Sequence, residues 1–351
     1  MLYQCSSMSL NAHQCSYLNK NQIYTNKKFT ICLSIMNEFN IEYVKESIKA
    51  ERPNATNFSM SFSDLSSISN HVRRYSVSFQ ENGKRKTQDV VYKLFIGDDK
   101  GVRMRREGES YNFLRYLGFG APKVYSFQGN DSLIIEYIEG SKRDGTKFIG
   151  LMSSELSKIH AKSITRGRKR LSSLRSVLDD RKNITESIKS YLSILQSKNL
   201  IEKNTSSQLH KKLKKLEKEL EEQTHTFCFR DYLPSNCFFD EKKNKIVYID
   251  LERASFSVPT DDISCLLLYS PEDADIIIKS YQKNLDENII KIDDIEKKVD
   301  LSIIEKGLEV SGFFANKEDS GYISEKERER IISKYLNLAL NRAVKQELIK
   351  I

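Results

Sequence analysis

Apolar and polar residues alternate in short segments between residues 57 and 137, and this pattern predicts β-strands. Between the second and third segments, Glu81-Asn82-Gly83-Lys84 is typical of a tight hairpin turn. Phe113 and Leu117 fall on one face of a predicted helix, and Gly118 suits its C-terminal end. The predicted strands cover residues 58–62, 72–79, 90–95, 123–127 and 132–137. Three strands, a helix and two more strands predict an α+β unit with an antiparallel five-stranded sheet.

After residue 140 the pattern changes, because apolar residues recur at helical spacing along most of the chain. A β-hairpin interrupts the helices between residues 226 and 249. The predicted helices cover residues 148–160, 171–200, 211–222, 263–269, 274–284, 301–314 and 325–350. The first residues are polar and show no period. We therefore expect a disordered extension, an N-terminal lobe and a helical C-terminal lobe, at residues 1–38, 39–138 and 139–351 respectively.

The composition is that of an ordinary globular chain, with 39% hydrophobic and 30% charged residues in a length of 351. The formal net charge is +9 at pH 7. Because the basic residues are scattered and mostly mixed with acidic ones, we expect no nucleic-acid partner. An anionic nucleotide ligand would explain part of the positive charge. The sequence leaves the oligomeric state open.

The six cysteines lie at positions 5, 15, 32, 228, 237 and 265, and no pair has the spacing of a zinc ribbon or a thioredoxin-like motif. We therefore expect free thiols in a reducing, cytoplasmic setting. The longest apolar stretch near the start, residues 29–36, is too short to span a membrane.

The residues with the clearest chemistry lie around the hairpin. Asp231 follows an apolar run, and Pro234 keeps the next residues from forming a helix. Asn236 opens one strand, residues 240–245 form the turn, and the return strand ends on Asp250. Folding this hairpin brings Asp231, Asn236 and Asp250 together. Their oxygen atoms suit Mg²⁺, so we predict Asn236 and Asp250 as metal ligands. Asp231 is the predicted base that accepts a hydroxyl proton during phosphoryl transfer.

The series Asp231-x4-Asn236, Asp250-x-Glu252 and Asp262 resembles the catalytic and metal loops of the aminoglycoside phosphotransferase/choline kinase family. The resemblance implies a protein-kinase-like two-lobed fold that uses ATP and Mg²⁺. It also implies that Asp262 fixes the backbone of the catalytic loop. Phe229 departs from the family pattern, which usually has His there, and we expect its ring to brace the loop by packing.

Lys93 and a helical glutamate match the pair that binds the α- and β-phosphates in kinases. Glu109 is the predicted partner of Lys93, and Glu107 is the competing candidate. Further segments are similar to choline and ethanolamine kinases: Glu109-x3-Phe113, residues 120–125 and residues 135–140.

Two further nucleotide contacts follow from the resemblance. The polar loop with Ser67, Ser69 and Asn70 lies where the family places its phosphate-covering turn, although it lacks glycine. Glu136 and Ile138 lie in the predicted hinge between the lobes, where backbone groups of the family meet adenine.

The acceptor is the open question. Phe229-Arg230-Asp231-Tyr232 and the tail from Leu308 to Phe314 are similar to N-acetylmuramate/N-acetylglucosamine kinases, which favours a sugar or amino sugar. Choline, ethanolamine and aminoglycosides are alternatives, and choline-like amines usually need a cage of aromatic and acidic side chains.

Two other classes of function remain as alternatives. A protein kinase is disfavoured, because the eleven residues 251–261 between Asp250 and Asp262 leave no room for a peptide-docking segment. A catalytically weak, pseudokinase-type binding protein is favoured only by the atypical phosphate loop and by Phe229.

Overall fold

The computed structural model describes residues 39–65, 67, 70–178, 181–285, 289–290, 294–316 and 324–350. The described residues from 44 onward belong to the larger of two units. The predicted extension at residues 1–38 lies outside the described residues. Helix α1 (Ile41–Glu51) matches the amphipathic pattern at its position, with Val44 and Ile48 buried. No helix in the described part of the chain is both long and apolar enough to cross a membrane.

The N-terminal part of the larger unit is built on an antiparallel five-stranded sheet with the order β1-β2-β3-β5-β4, as predicted. Asn82 and Gly83 have φ angles of 52° and 74°, which a tight turn of this hand requires, and they join β2 to β3. Lys93 lies in the middle of the sheet, opposite Val72 on one side and Leu133 on the other. The strands are β1 (Thr56–Leu65), β2 (Asn70–Glu81), β3 (Lys84–Phe95), β4 (Val124–Gln128) and β5 (Ser132–Glu136).

The apolar pattern predicts a helix around residues 109–117, but helix α2 (Lys100–Leu117) begins nine residues earlier. Its first half buries charged side chains beside the apolar Met104, since Arg106 and Glu107 are both below 10% exposed. A pattern of apolar residues therefore misses this half of the helix. At the other end, Gly118 has a φ of 90° and caps the helix, as predicted.

The C-terminal part is mainly helical, and the predicted segment 171–200 divides into two helices. The two helices α9 and α10 pack along each other, and α9 also contacts α5 and α7. The helices are α3 (Thr146–Thr165), α4 (Arg168–Leu174), α5 (Arg181–Ser197), α6 (Lys203–Glu221), α7 (Thr260–Tyr269), α8 (Ala274–Lys283), α9 (Ile295–Asn316) and α10 (Glu325–Lys345).

Four short strands form two small sheets beside these helices. The predicted hairpin consists of β7 (Cys237–Asp240) and β8 (Lys245–Tyr248). Strand β6 (Thr226–Cys228) pairs with β9 (Ser255–Ser257), which the sequence pattern did not predict because two serines flank its single apolar residue. The hairpin is fixed to the segment after α2 by Gly120, which pairs with Val247. A Cβ atom on Gly120 would lie 2.0 Å from the carbonyl oxygen of Ile246, so only glycine permits this approach.

Two apolar clusters support these elements. The larger one joins the sheet to α2, α3 and the hairpin, and it contains Leu114, Leu133, Leu156 and Tyr248. The second lies among α5, α6, α9 and α10. The hairpin that carries the predicted site residues is thus attached to the larger core.

Candidate active site

Asp231 and Asn236 lie together in the loop between β6 and β7. A single turn of 3₁₀ helix, Pro234–Asn236, reverses the chain, with Pro234 at its start. The amide nitrogen of Asn236 donates to both the backbone oxygen and the carboxylate Oδ2 of Asp231, each at 3.0 Å. The backbone oxygen of Asn236 accepts from the N–H of Ile249 at 2.9 Å, which connects the loop to the residue before Asp250. The structure therefore brings together the three residues that the hairpin argument grouped.

Asp262 fixes the backbone of this loop from the first turn of α7. Its carboxylate accepts from the backbone N–H groups of Phe229 at 2.9 Å and Arg230 at 2.8 Å, as the resemblance implied. Arg230 has a φ of 63°, a conformation that a long side chain rarely adopts. His160, which is fully buried, lies 3.2 Å from Asp262 and 2.8 Å from the hydroxyl of Tyr281. His160 is thus a packed residue that orients Asp262.

Phe229 braces the loop by packing, as expected for a phenylalanine at a position where the family usually has histidine. Its ring centroid lies 4.8 Å from that of Tyr232 and 5.0 Å from that of Tyr248. The hydroxyl of Tyr232 donates to the backbone oxygen of Met152 at 2.9 Å. Aromatic contacts of this kind replace the hydrogen bond that a histidine would supply.

Lys93 is paired with Glu107, so the preference for Glu109 is wrong. The ammonium group lies 2.6 Å from Glu107 and 2.7 Å from Asp250. Glu109 is two residues further along α2 and therefore points to a different side of the helix, where it lines a separate groove. Tyr111 supports the pairing of Lys93 with Glu107. Its hydroxyl donates to Glu107 at 2.7 Å and accepts from the backbone N–H of Asp250 at 3.0 Å.

Burial and the neighbouring charges together shift the pKa values of Lys93 and Glu107. Burial alone would lower the pKa of Lys93, but the carboxylates of Asp250, Glu107 and Glu252 raise it above its ordinary value. Lys93 is therefore a permanent cation. Burial raises the pKa of Glu107 to about 7, although the Lys93 ammonium opposes this shift.

Glu252 joins the sheet and α2 to the segment after β8. Arg103 donates to its two carboxylate oxygens at 3.0 and 2.9 Å, and the amide of Asn70 donates to it at 2.8 Å. Arg106 donates to the backbone oxygen of Glu252 at 3.0 Å. The roles of Arg103 and Arg106 were not predicted from the sequence. Arg103 lies four residues before Glu107, and this spacing on one helix face is a signal that could have found it, whereas Arg106 has no such signal.

Asp231 lies beside a buried ionic network that involves α9. Glu309 accepts from Arg230 at 2.5 Å and from Lys306 at 3.2 Å, and it also pairs with Arg253. Burial raises the pKa of Asp231, while the nearby Lys306 and Arg253 oppose the shift. The result is a carboxylate with a raised pKa next to the loop amide of Asn236.

With this geometry in hand, comparison with known proteins identifies the family. The sequence profile of the choline/ethanolamine kinase family matches residues 62–275, more than half of the chain. The chain belongs to the choline/ethanolamine kinase family. No curated protein matches the sequence at a significant level.

Solved structures share the fold. The Plasmodium vivax ethanolamine kinase has 16% identity and a TM-score of 0.59, over 96% of this chain and 93% of that protein. The choline kinase LicA from Streptococcus pneumoniae has 17% identity and a TM-score of 0.57, over 86% and 98%. The gentamicin complex of APH(2")-IIa has 20% identity and a TM-score of 0.52, over 86% and 96%. The predicted protein-kinase-like fold is confirmed, and so is the prediction of an ATP-dependent small-molecule kinase, which the family match carries.

The predicted ligands of a metal ion fit Mg²⁺ chemically. The amide nitrogen of Asn236 is used by Asp231, which leaves the amide oxygen as the donor. Asp250 uses Oδ1 for Lys93, and its side chain is 41% exposed, which leaves Oδ2 accessible. Both atoms are hard oxygen ligands. A second acidic group, formed by Glu107, Asp250 and Glu252, surrounds the Lys93 ammonium instead.

The remaining predicted nucleotide contacts that the structure describes lie around the start of β2 and the end of β5. The hydroxyl of Ser67 accepts from the backbone N–H of Asn70 at 3.3 Å, and Ser69 lies outside the described residues. Glu136 ends β5, and its backbone N–H donates to Lys123 at 2.8 Å. Ile138 follows in the extended segment that leads to α3. In this member of the choline/ethanolamine kinase family, the side chain of Asn70 is committed to Glu252 and Arg103.

Proposed function

We propose that this member of the choline/ethanolamine kinase family transfers the γ-phosphoryl group of ATP, with Mg²⁺, to a hydroxyl group of a small metabolite. The observation that supports the proposal most directly is the pairing of Lys93 with Glu107 and Asp250, while Asp231 is held by Asn236. Phosphoryl transfer needs a cation for the phosphates and a base for the acceptor, and these residues provide both.

The proposed reaction assigns one role to each residue. Lys93 leaves Asp250 and binds the α- and β-phosphates, because an ammonium prefers the more highly charged partner. Asp231 orients the acceptor hydroxyl and takes its proton as the new oxygen–phosphorus bond forms. The bond from the γ-phosphorus to the β-phosphate oxygen breaks, and ADP leaves. Mg²⁺, held by Asn236 and Asp250, would neutralise charge on the phosphate oxygens.

The raised pKa of Asp231 suits this role. A base accepts a proton more readily as its pKa approaches the working pH, and burial moves the Asp231 carboxylate in that direction. Lys306 and Arg253 oppose the shift, because nearby cations favour the charged form of a carboxyl group.

The acceptor that we propose is a hydroxylated amine. Choline, ethanolamine, aminoglycosides and amino sugars all carry nitrogen close to a hydroxyl group. The family match and the solved structures favour the first three, and they do not favour a sugar. The preference for a sugar or amino sugar rested on the similarity of the tail around Glu309 to sugar kinases. It stays a prediction, and choline, ethanolamine and aminoglycosides are the alternatives.

A substrate panel tests the proposal. Formation of ADP from Mg·ATP is measured with choline, ethanolamine, an aminoglycoside, an amino sugar and a neutral sugar as acceptors. We expect at least one nitrogen-containing acceptor to raise turnover far above the rate without acceptor. Thermal denaturation should show stabilisation by ATP only when Mg²⁺ is present. A chain that neither binds Mg·ATP nor turns over any acceptor would contradict the kinase proposal.

The second candidate is a nucleotide-binding protein with weak catalysis. The glycine-free loop at Ser67 supports it, because backbone amides without glycine approach phosphate less closely. Stabilisation by Mg·ATP without turnover of any acceptor on the panel would favour this candidate over an active kinase.

A further inference from the structure

A groove with a volume of about 1020 Å³ runs along α2 on a side of the helix that does not carry Glu107. Seven residues of α2 line this groove, and four of them are spaced at i, i+4, i+7 and i+11, namely Arg105, Glu109, Asn112 and Tyr116. This spacing forms one stripe along a helix. Glu107 lies two residues from Arg105 and on another side of α2. Helix α2 therefore separates the groove from the Lys93 cluster.

The apolar floor of the groove is fixed by close packing. Phe127 lies against Gly108, where a Cβ atom would be 2.4 Å from the ring. Phe113 lies against Gly167, where a Cβ atom would be 2.7 Å from the ring. Phe113 is only 1% exposed and supports the floor from below. The ring of Phe127 is 36% exposed and presents a preformed surface that a ligand need not organise.

The walls of the groove carry more positive than negative charge. Arg105 and Arg115 come from α2, Arg170 comes from α4, and Glu109 is the acidic residue in the described lining. Arg170 stacks on Tyr116, with the guanidinium carbon 4.2 Å from the ring centroid. Arg115 donates to the backbone oxygen of Ala121 at 3.1 Å and lies 3.8 Å from Glu136.

The guanidinium groups of Arg105 and Arg170 are available for a ligand. Both residues are exposed, and neither has a carboxylate within 4.0 Å in the part of the chain that the structure describes. Ser173 and Ser176 add hydroxyl groups to the same wall as Arg170. Guanidinium groups bind phosphate and carboxylate through paired hydrogen bonds, so an anion fits this wall better than a cation.

We propose that this groove binds a small molecule with a phosphate or carboxylate group on a flat apolar body. The anionic group would contact Arg105 and Arg170, and the apolar body would lie on the exposed ring of Phe127. Such a ligand connects α2 to α4 and thereby restricts the helix that carries Glu107 to Lys93. The site is separate from Asp231 and Asp250, so the proposal does not depend on the kinase reaction.

The test uses 1-naphthyl phosphate as the probe and neutral 1-naphthol as its matched control. Binding to the full chain is measured by calorimetry with a saturating non-hydrolysable ATP analogue and Mg²⁺, and again without them. We expect saturable binding of 1-naphthyl phosphate in both conditions and at least about tenfold weaker binding of 1-naphthol. Affinity should fall as KCl is raised, because exposed charge pairs are screened.

Variants locate the site. Arg105→Gln and Arg170→Gln should each weaken the probe about tenfold, since each removes a charged donor. Arg166→Gln is the matched control, because Arg166 is exposed close to α4 but does not line the groove. All three replace exposed side chains, so thermal denaturation should show little loss of stability.

Three results would overturn the proposal. The first is no saturable binding of 1-naphthyl phosphate. The second is displacement of the probe by the ATP analogue, which would place it in the nucleotide cleft. The third is an equal effect of Arg166→Gln and Arg170→Gln, which would indicate a diffuse surface charge. Hydrogen exchange gives an independent check, since bound probe should slow exchange in Lys100–Leu117.

Discussion

At the scale of single residues, the proposed mechanism separates two aspartates that lie close together. Asp231 acts on the acceptor, whereas Asp250 contacts Lys93 at 2.7 Å and is a proposed metal ligand. We expect Asp231→Asn to lower turnover about 10²–10⁴-fold while Mg·ATP still binds. Asp250→Asn should lose both turnover and Mg·ATP binding. Steady-state kinetics and a Mg·ATP titration by calorimetry measure the two effects.

The two variants also test the assignment of roles. Near wild-type turnover in Asp231→Asn would exclude it as the base. Equal loss of Mg·ATP binding in both variants would show that Asp231 belongs to the metal site rather than to the acceptor site.

The correction at Glu107 gives a second prediction at this scale. Glu107 is 1% exposed and lies 2.6 Å from the Lys93 ammonium, whereas Glu109 lines the separate groove. Glu107→Gln should weaken Mg·ATP binding about tenfold or more, because Lys93 loses the charged partner that positions it. Glu109→Gln is the matched control and should bind Mg·ATP as the wild type does. A larger loss in Glu109→Gln than in Glu107→Gln would contradict the observed pairing.

The wrong prediction of Glu109 as the partner of Lys93 has a physical origin. The sequence order predicts that a glutamate of the helix after β3 meets Lys93, but two residues along a helix differ by about 200° in direction. The direction depends on which side of α2 faces the sheet. The buried residues of α2 include the charged Arg106 and Glu107 beside the apolar Met104 and Tyr111, so hydrophobic periodicity alone does not show which glutamate is buried.

At the scale of elements, Glu252 connects the sheet, α2 and the segment after β8. Burial alone would raise its pKa, but Lys93, Arg103 and the Asn70 amide lower it to about 2, against an ordinary value of 4.5. A carboxyl group with a lowered pKa stabilises the folded chain above pH 4.5, and this contribution decreases as the pH falls towards 2. About 2 kcal/mol of this stabilisation should be lost by pH 3.

Urea unfolding between pH 6 and pH 3 measures this contribution. The free energy of unfolding of the wild type should fall more steeply over this range than that of Glu252→Gln, which has no carboxyl group to protonate there. Glu296→Gln is the control, because Glu296 is exposed and has no ion-pair partner among the described residues. Parallel pH profiles for the wild type and Glu252→Gln would show that the contacts of Glu252 contribute nothing.

Which elements the sequence predicts depends on what each one buries. The hairpin of β2 and β3 follows from alternating residues and from Asn82-Gly83, and the hairpin of β7 and β8 follows from two apolar runs around the polar turn at residues 240–245. Strand β9 has no such pattern, because its inward residues Ser255 and Ser257 are polar. Elements that bury polar groups are held by partners distant in sequence, and a local pattern cannot show those partners.

At the scale of the whole molecule, the catalytic loop is connected to the C-terminal helices through Glu309 of α9. Its carboxylate pairs with Arg230 of the loop, Arg253 of the segment after β8, and Lys306 of its own helix. Burial opposes ionisation, yet the three cations hold the pKa of Glu309 well below its ordinary value. The resemblance of the tail to other kinases drew attention to Glu309, but only the fold shows that it reaches the residue before Asp231.

Removing Glu309 should therefore destabilise the whole unit. Glu309→Ala leaves Arg230 and Lys306 buried without their shared carboxylate, which typically costs about 3–5 kcal/mol. Glu309→Gln keeps an oxygen acceptor, so its free energy of unfolding should fall less than that of Glu309→Ala. Urea unfolding at pH 7 measures both free energies, with Glu329→Ala as the control because Glu329 is exposed on α10. A loss below about 1 kcal/mol in Glu309→Ala would show that apolar packing, rather than this ionic network, holds the catalytic loop against α9.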